Sequence, residues 1–212
     1  MIKLTKRPTP PKPITNEEHY RNDPNLNALI EDCLGKCYIC ENDKLTTLNV
    51  EHLIPHHGDD TLKYDWNNLF LSCGHCNSIK GDKFDDILDP TKCDPEDNIS
   101  LSLTVNSLIE NVEVNALSHD KSTQQTAKLL SLVYNGGTTA IKEVECAVLR
   151  NEISTCLARF FQYIEGYRSE PNEDYDVIIK KEISRASSFA AFKRGIIRND
   201  TELSAKFGEL LI

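Results

Sequence analysis

Residues 36–84 read KCYICENDKLTTLNVEHLIPHHGDDTLKYDWNNLFLSCGHCNSIKGDKF, and this block decides the fold. It opens and closes on two CxxC pairs, Cys37/Cys40 and Cys73/Cys76. Two residues between cysteines let both thiolates turn onto one ion. Two such knuckles supply the four sulfurs that suit tetrahedral Zn²⁺, with metal–sulfur bonds near ~2.3 Å. Four protein ligands leave no position open for water, so such a zinc is structural rather than catalytic. Cys33 could serve as a spare ligand, whereas Cys146 and Cys156 fall on helical apolar stripes and read as core thiols.

Between the knuckles, Val50–Glu51–His52–Leu53–Ile54–Pro55–His56 reads as a strand with an acid beside a histidine. Neighbouring strand side chains point to opposite faces, so both reach one site only where the chain bends or ends. Pro55 and Gly58 supply that interruption. An apolar approach, Asp65 to Ser72, leads to the second knuckle, and Asn77–Gly81 reads as a short helix set by Cys76. These residue types suit metal-dependent cleavage of a phosphodiester. A carboxylate and an amide or imidazole hold a hard divalent ion, Mg²⁺ or Mn²⁺. A neutral histidine takes a proton from the attacking water, and a lysine adds a phosphate contact.

The block resembles the HNH, or ββα-metal, nuclease family: an acid–His pair, a central Asn, and an Asn or His on the helix nine residues later. Here these are Glu51–His52, Asn68 and Asn77, followed by Lys80 as in many members. The resemblance implies that Glu51 and Asn77 hold the catalytic ion, that His52 is the general base, and that Asn68 tethers the loop and orients His52. Asn67 is the rival for that last role. Glu51 stands where Asp is commoner, one methylene longer. His56 and Lys80 are the candidates for substrate phosphate, while His57 and His75 read as loop residues or as groups that support the site residues from behind.

The wider layout, with an ending in FAAFKRGIIRND, is similar to the HNH subunits of the Septu anti-phage systems, which also accompany some retrons. That likeness implies an ABC/SMC-like ATPase partner and a nucleic acid substrate, DNA ahead of RNA. It leaves open a retron-associated effector cleaving RNA. A non-catalytic zinc-frame adaptor is the other alternative.

The rest of the chain sets the frame. In 212 residues, 24 Lys+Arg against 33 Asp+Glu give a net charge of −9, which argues against gripping nucleic acid by bulk charge. No run approaches the ~18 apolar residues of a membrane span. The start lacks an apolar signal core, so the expectation is a cytoplasmic protein with reduced cysteines. Residues 1–15 read as a basic, proline-rich arm, either a loose tail or a segment lying on phosphates or a partner. Residues 16–34 read as helix with a break at Pro24 and a stop at Gly35. Residues 82–98, with seven acids against Lys83 and Lys92, read as a solvated linker without the spacing of a calcium loop. Alternation over 99–117 predicts two strands joined near Asn106–Ser107, with Leu108 and Ile109 opening the second. Helical spacing predicts 123–134 closed by Gly136–Gly137, then 140–164 and one or two helices over 175–198. The expected architecture is α+β: a zinc-stapled nuclease core over 16–98, then a hairpin and a mainly α-helical partner-binding region over 99–212.

Overall fold

The computed structural model describes residues 1–211 apart from 46, 107–108 and 137–138; the side chains of Asn106 and Ile109 also lie outside the description. The expected hairpin joint at Ser107, the role of Leu108 and the closing Gly137 therefore fall outside the described residues. Two short helices open the chain, α1 (Glu17–Arg21) and α2 (Asn25–Asp32), separated by Pro24 after a cis peptide. Asn16 caps α1 by accepting from the His19 amide. Gly35, with φ +69°, ends the α2 region in the left-handed conformation that glycine adopts without a Cβ penalty.

The central block is a strand pair and a helix. β1 (Leu48–His52) pairs antiparallel with β2 (Leu69–Cys73), placing Glu51 opposite Phe70 and His52 opposite Leu69. A four-residue helix, α3 (Asp60–Lys63), lies in the connection, and α4 (Gly74–Lys80) follows β2 directly. Cys73 caps α4, so the second knuckle is also the helix start. Gly81, at φ +47°, takes the chain off its end.

The C-terminal half begins with the expected hairpin, β3 (Ile99–Asn106) against β4 (Ile109–Ala116), in register from Ile99↔Ala116. Helices α5 (Lys121–Asn135), α6 (Ala140–Ser169), α7 (Glu173–Glu182), α8 (Ala190–Asn199) and α9 (Thr201–Phe207) complete it. The last of these was not read from the sequence. Apolar burial draws both halves together: Leu69, Phe70 and Leu71 of β2 lie in one cluster with Leu129, Val133, Ile153 and Phe192. A second cluster, with Phe160, Ile164, Ile179 and Phe207, joins α6 to α9 and the closing turn at Leu211.

Two segments differ from the sequence reading. The first residues are not a free arm: Met1, Ile2 and Leu4 are buried, and the Leu4 amide donates to the Pro90 carbonyl at 2.8 Å. Lys6 inserts its ammonium between the Trp66 and Phe70 rings, 4.5 and 4.7 Å from their centroids. It donates to the Trp66 and Leu69 carbonyls, and burial lowers its pKa to about 8. Arg7 pairs with Asp32 at 2.9 Å and Glu31 at 2.8 Å. Four basic residues and four prolines read as a loose tail or an arm for a partner or phosphates, but the interleaved apolar side chains fix the segment to the body. Likewise 82–98 is a loop that is only partly solvated. Phe84, Ile87 and Leu88 are buried, and buried Glu96 pairs with Arg194 at 2.7 Å and Arg198 at 2.9 Å.

Candidate active site and metal centre

The four sulfurs of Cys37, Cys40, Cys73 and Cys76 lie within 4.8 Å of one another, and Cys40 and Cys73 are 4.0 Å apart. A tetrahedron with ~2.3 Å metal–sulfur bonds has edges of about 3.8 Å, so this group could hold zinc with little adjustment. Cys33 is not part of it. Its sulfur accepts from the Leu71 amide at 3.3 Å, and burial pushes the thiol up to about 12, the behaviour of a core group. Cys146 is also a core thiol, buried on α6 and directed at the Val133 carbonyl.

Glu51, His52 and Asn77 line one cleft of ≈ 420 Å³, together with His56, His57 and Gly81. Each arrives by a different local device. β1 ends at His52, so the acid and the imidazole are the last two residues of the strand and escape strict alternation. Asn77 sits on the second turn of α4, whose start is pinned by the Cys73–Cys76 knuckle.

His52 is half-buried, and its Nε2 lies 3.0 Å from the Lys63 carbonyl at the end of α3. A carbonyl only accepts, so this contact puts the ring proton on Nε2 and leaves Nδ1 as the basic nitrogen. Burial holds the imidazole below its usual value of 6.5, which favours the neutral form. His56 lies edge-on to it at 4.8 Å and accepts from the Gly58 amide through its own Nδ1.

Glu51 is buried with both oxygens engaged. Lys80 Nζ donates to Oε1 at 2.7 Å, and the Tyr38 hydroxyl donates to Oε2 at 2.6 Å. Burial raises the carboxyl, and the lysine and hydroxyl oppose that rise. Lys80 also donates to the His52 carbonyl at 2.7 Å. This corrects the reading of Lys80 as a phosphate contact: its side chain is fully buried and ties α4 to β1 from within. A carboxylate oxygen has more than one lone-pair direction, so the Glu51 contacts leave it able to ligate a cation. Mg²⁺ keeps several waters and is commonly held by one or two carboxylates plus substrate phosphate; Glu51 would supply one such carboxylate, with the Asn77 amide in the same cleft.

Asn68 is buried and makes three hydrogen bonds. Its amide donates to the Ile54 and Leu62 carbonyls at 2.8 and 3.0 Å, and its oxygen accepts from the Ile54 amide at 2.8 Å. It therefore staples both ends of the 54–62 loop. Among the described residues it makes no bond to His52. The ring is oriented by Lys63, one residue beyond the carbonyl that Asn68 holds. Asn67, the rival, is exposed, and among the described residues its side chain bonds to Asp65.

Residues 37–90 match the family model for HNH endonuclease. They form an HNH domain. The chain is also 32% identical over 120 residues to the Septu protein PtuB of Bacillus thuringiensis, an alignment covering 48% of this chain and 46% of that protein. The chain thus spans about half the length of that curated relative. No solved structure matches this chain. No described helix is long and apolar enough to cross a membrane.

Sequence reading missed Glu17, Tyr20 and Arg21 of α1, which wall the HNH cleft. The Tyr20 ring stands edge-on to His52 at 6.0 Å, and Glu17 pairs with Lys63 at 2.7 Å. It also missed Tyr38, which sits inside the first knuckle. Nothing in the local pattern of α1 announces a site some 30 residues further along; only packing shows it.

Proposed function

We propose that this chain is a metal-dependent HNH endonuclease that hydrolyses phosphodiester bonds of nucleic acid, DNA ahead of RNA, as the effector subunit of an anti-phage defence complex. The observation that carries the reading is the state of His52: one nitrogen committed to the Lys63 carbonyl, the other basic, in one cleft with Glu51 and Asn77. In the reaction the water oxygen bonds to phosphorus, the bond to the leaving oxygen breaks, and the proton of the water passes to His52 Nδ1. The Lys63 carbonyl then faces the imidazolium N–H and steadies the charge. Glu51 and Asn77 would hold Mg²⁺ or Mn²⁺. When bound, such an ion neutralises charge developing on the phosphate and the leaving oxygen. Asn68 keeps the 54–62 loop, and through it Lys63, in place.

The similarity to the Septu protein PtuB supports a defence role and a multi-subunit setting, for which an ABC/SMC-like ATPase is the proposed partner. The net charge of −9 fits a nuclease with a weak intrinsic grip on nucleic acid, since phosphate neutralisation supplies most non-specific affinity. The test is to incubate the assembled complex with DNA and with RNA in Mg²⁺ or Mn²⁺. Cleavage by wild type and none by His52→Ala is expected. Equal cleavage by both removes His52 as base. RNA cleavage alone selects the retron-type effector.

A second reading, a zinc-frame adaptor, draws on the exposed apolar stripe Ile141, Val144 and Val148 along α6. No cleavage in any complex, and no second metal site lost in Glu51→Ala or Asn77→Ala, would select it.

A further inference from the structure

On the far side of α4 from the cleft lies a second cavity of ≈ 390 Å³. At 3.6 residues per turn, Ile79 is about 200° round the helix from Asn77, so the two sites use opposite faces of α4. The cavity is walled by α4, the Lys83–Phe84 segment, α5 and the first turn of α6. Its floor is apolar, made by Ile79, Phe84 and Leu132. Its rim carries three cations from three segments: Lys83, Lys128 and Lys142. No acidic residue is among the described lining residues, in a chain whose net charge is −9. Lys142 is shared with Glu145 at 2.5 Å, but among the described residues Lys83 and Lys128 have no ion-pair partner.

Free lysines facing an apolar floor set the chemistry of the ligand. Lys83 and Lys128, with no acid among the described lining residues beside them, raise the local positive potential, which an anionic group relieves. An anion alone, such as inorganic phosphate, leaves the apolar floor unused. A cation or a neutral apolar molecule leaves the lysines unpaired. The volume falls within the range of small-molecule sites, about 300–1,000 Å³.

We propose that this cavity binds a nucleoside phosphate, with its base against Phe84, Ile79 and Leu132 and its phosphate on Lys83 and Lys128. The Gln125 side chain, also on the wall, offers both a donor and an acceptor for the base or sugar edge. The ligand is either a free nucleotide or one nucleotide unit of a strand, and both present the same chemistry. The site does not depend on catalysis at His52. It lies between α4 of the HNH frame and α5 and α6 of the helical half, so its occupant bridges them.

The test uses the full zinc-loaded chain without added divalent ion, titrated calorimetrically with ATP, adenosine, inorganic phosphate and a ten-residue oligothymidylate. ATP is expected to bind more tightly than adenosine or phosphate. The double variant Lys83→Glu/Lys128→Glu is expected to weaken ATP on the order of tenfold or more. Lys83→Gln/Lys128→Gln is expected to lose less, with zinc content and circular dichroism unchanged. Asn77→Ala, on the other face of α4, should bind ATP like wild type, which separates this site from the nuclease cleft. Binding of the oligonucleotide but not ATP, lost in the same double variants, assigns the cavity to a strand. If neither ligand responds to either double variant, the proposal is overturned.

Discussion

Lys80 Nζ lies 2.7 Å from Glu51 Oε1 with the lysine side chain wholly buried, an ion pair set between the helix and the first strand of the HNH frame. Removing one partner of a buried pair leaves the other charge uncompensated, a cost of about 3–5 kcal/mol. Lys80→Met should therefore destabilise the protein by that order in denaturant unfolding. Lys80→Met/Glu51→Gln, which removes both charges, should recover part of the loss. An exposed phosphate contact would show no such recovery.

His52→Ala should lower cleavage by roughly 10²–10⁴-fold while zinc content and unfolding midpoint stay close to wild type. The acid limb gives a second check. Burial holds the imidazole below 6.5, and the base works only when neutral, so activity should persist as pH falls to that value and drop only below it. A limb centred above 6.5 would contradict the assignment.

Asn68→Ala strands the Ile54 amide and two carbonyls that the side chain now satisfies. A cost on the order of 1–3 kcal/mol is expected in unfolding measurements. Cleavage should fall as well, because Lys63 loses its support. Amide exchange over residues 54–63 should rise selectively, distinguishing a lost staple from a lost catalytic group.

Lys6 titrates at about 8 in the fold against 10.5 for a free lysine. Between those values the unfolded chain binds more protons, so this group makes stability rise with pH there and fall again as pH drops toward 8. The difference in unfolding free energy between wild type and Lys6→Met should follow that course from pH 8 to 10.5. A flat difference would show that the ammonium is solvated.

One zinc per chain is expected by elemental analysis, and Cys73→Ser should abolish it. Because Cys73 also caps α4, its loss or stripping by chelator should unfold the HNH frame rather than merely inactivate it.

The HNH core was legible because ligand spacing and the acid–His pair are local patterns. The strand pair, the short helix and the four-sulfur group all follow from residues 37–80 alone. What stayed hidden was burial. Lys80 follows the helix asparagine at a position that reads as phosphate-binding, and only packing shows that its ammonium points inward to Glu51. The charged, proline-rich start hid Met1, Ile2 and Leu4, three apolar residues too few to register as periodic. Tyr20 and Tyr38 reach the site from elements whose own patterns end elsewhere, and the 54–62 loop takes its shape from one amide that no window average would detect.

His75 sits between two of the sulfur ligands, yet its ring faces away from them. Its Nε2 lies 2.8 Å from the Val133 carbonyl on α5, and its Nδ1 lies 2.8 Å from Glu145 on α6. The knuckle that starts α4 is thus joined to the helical half through one imidazole as well as through the shared apolar core. Glu145 of α6 therefore stands one side chain away from the turn that begins the helix carrying Asn77.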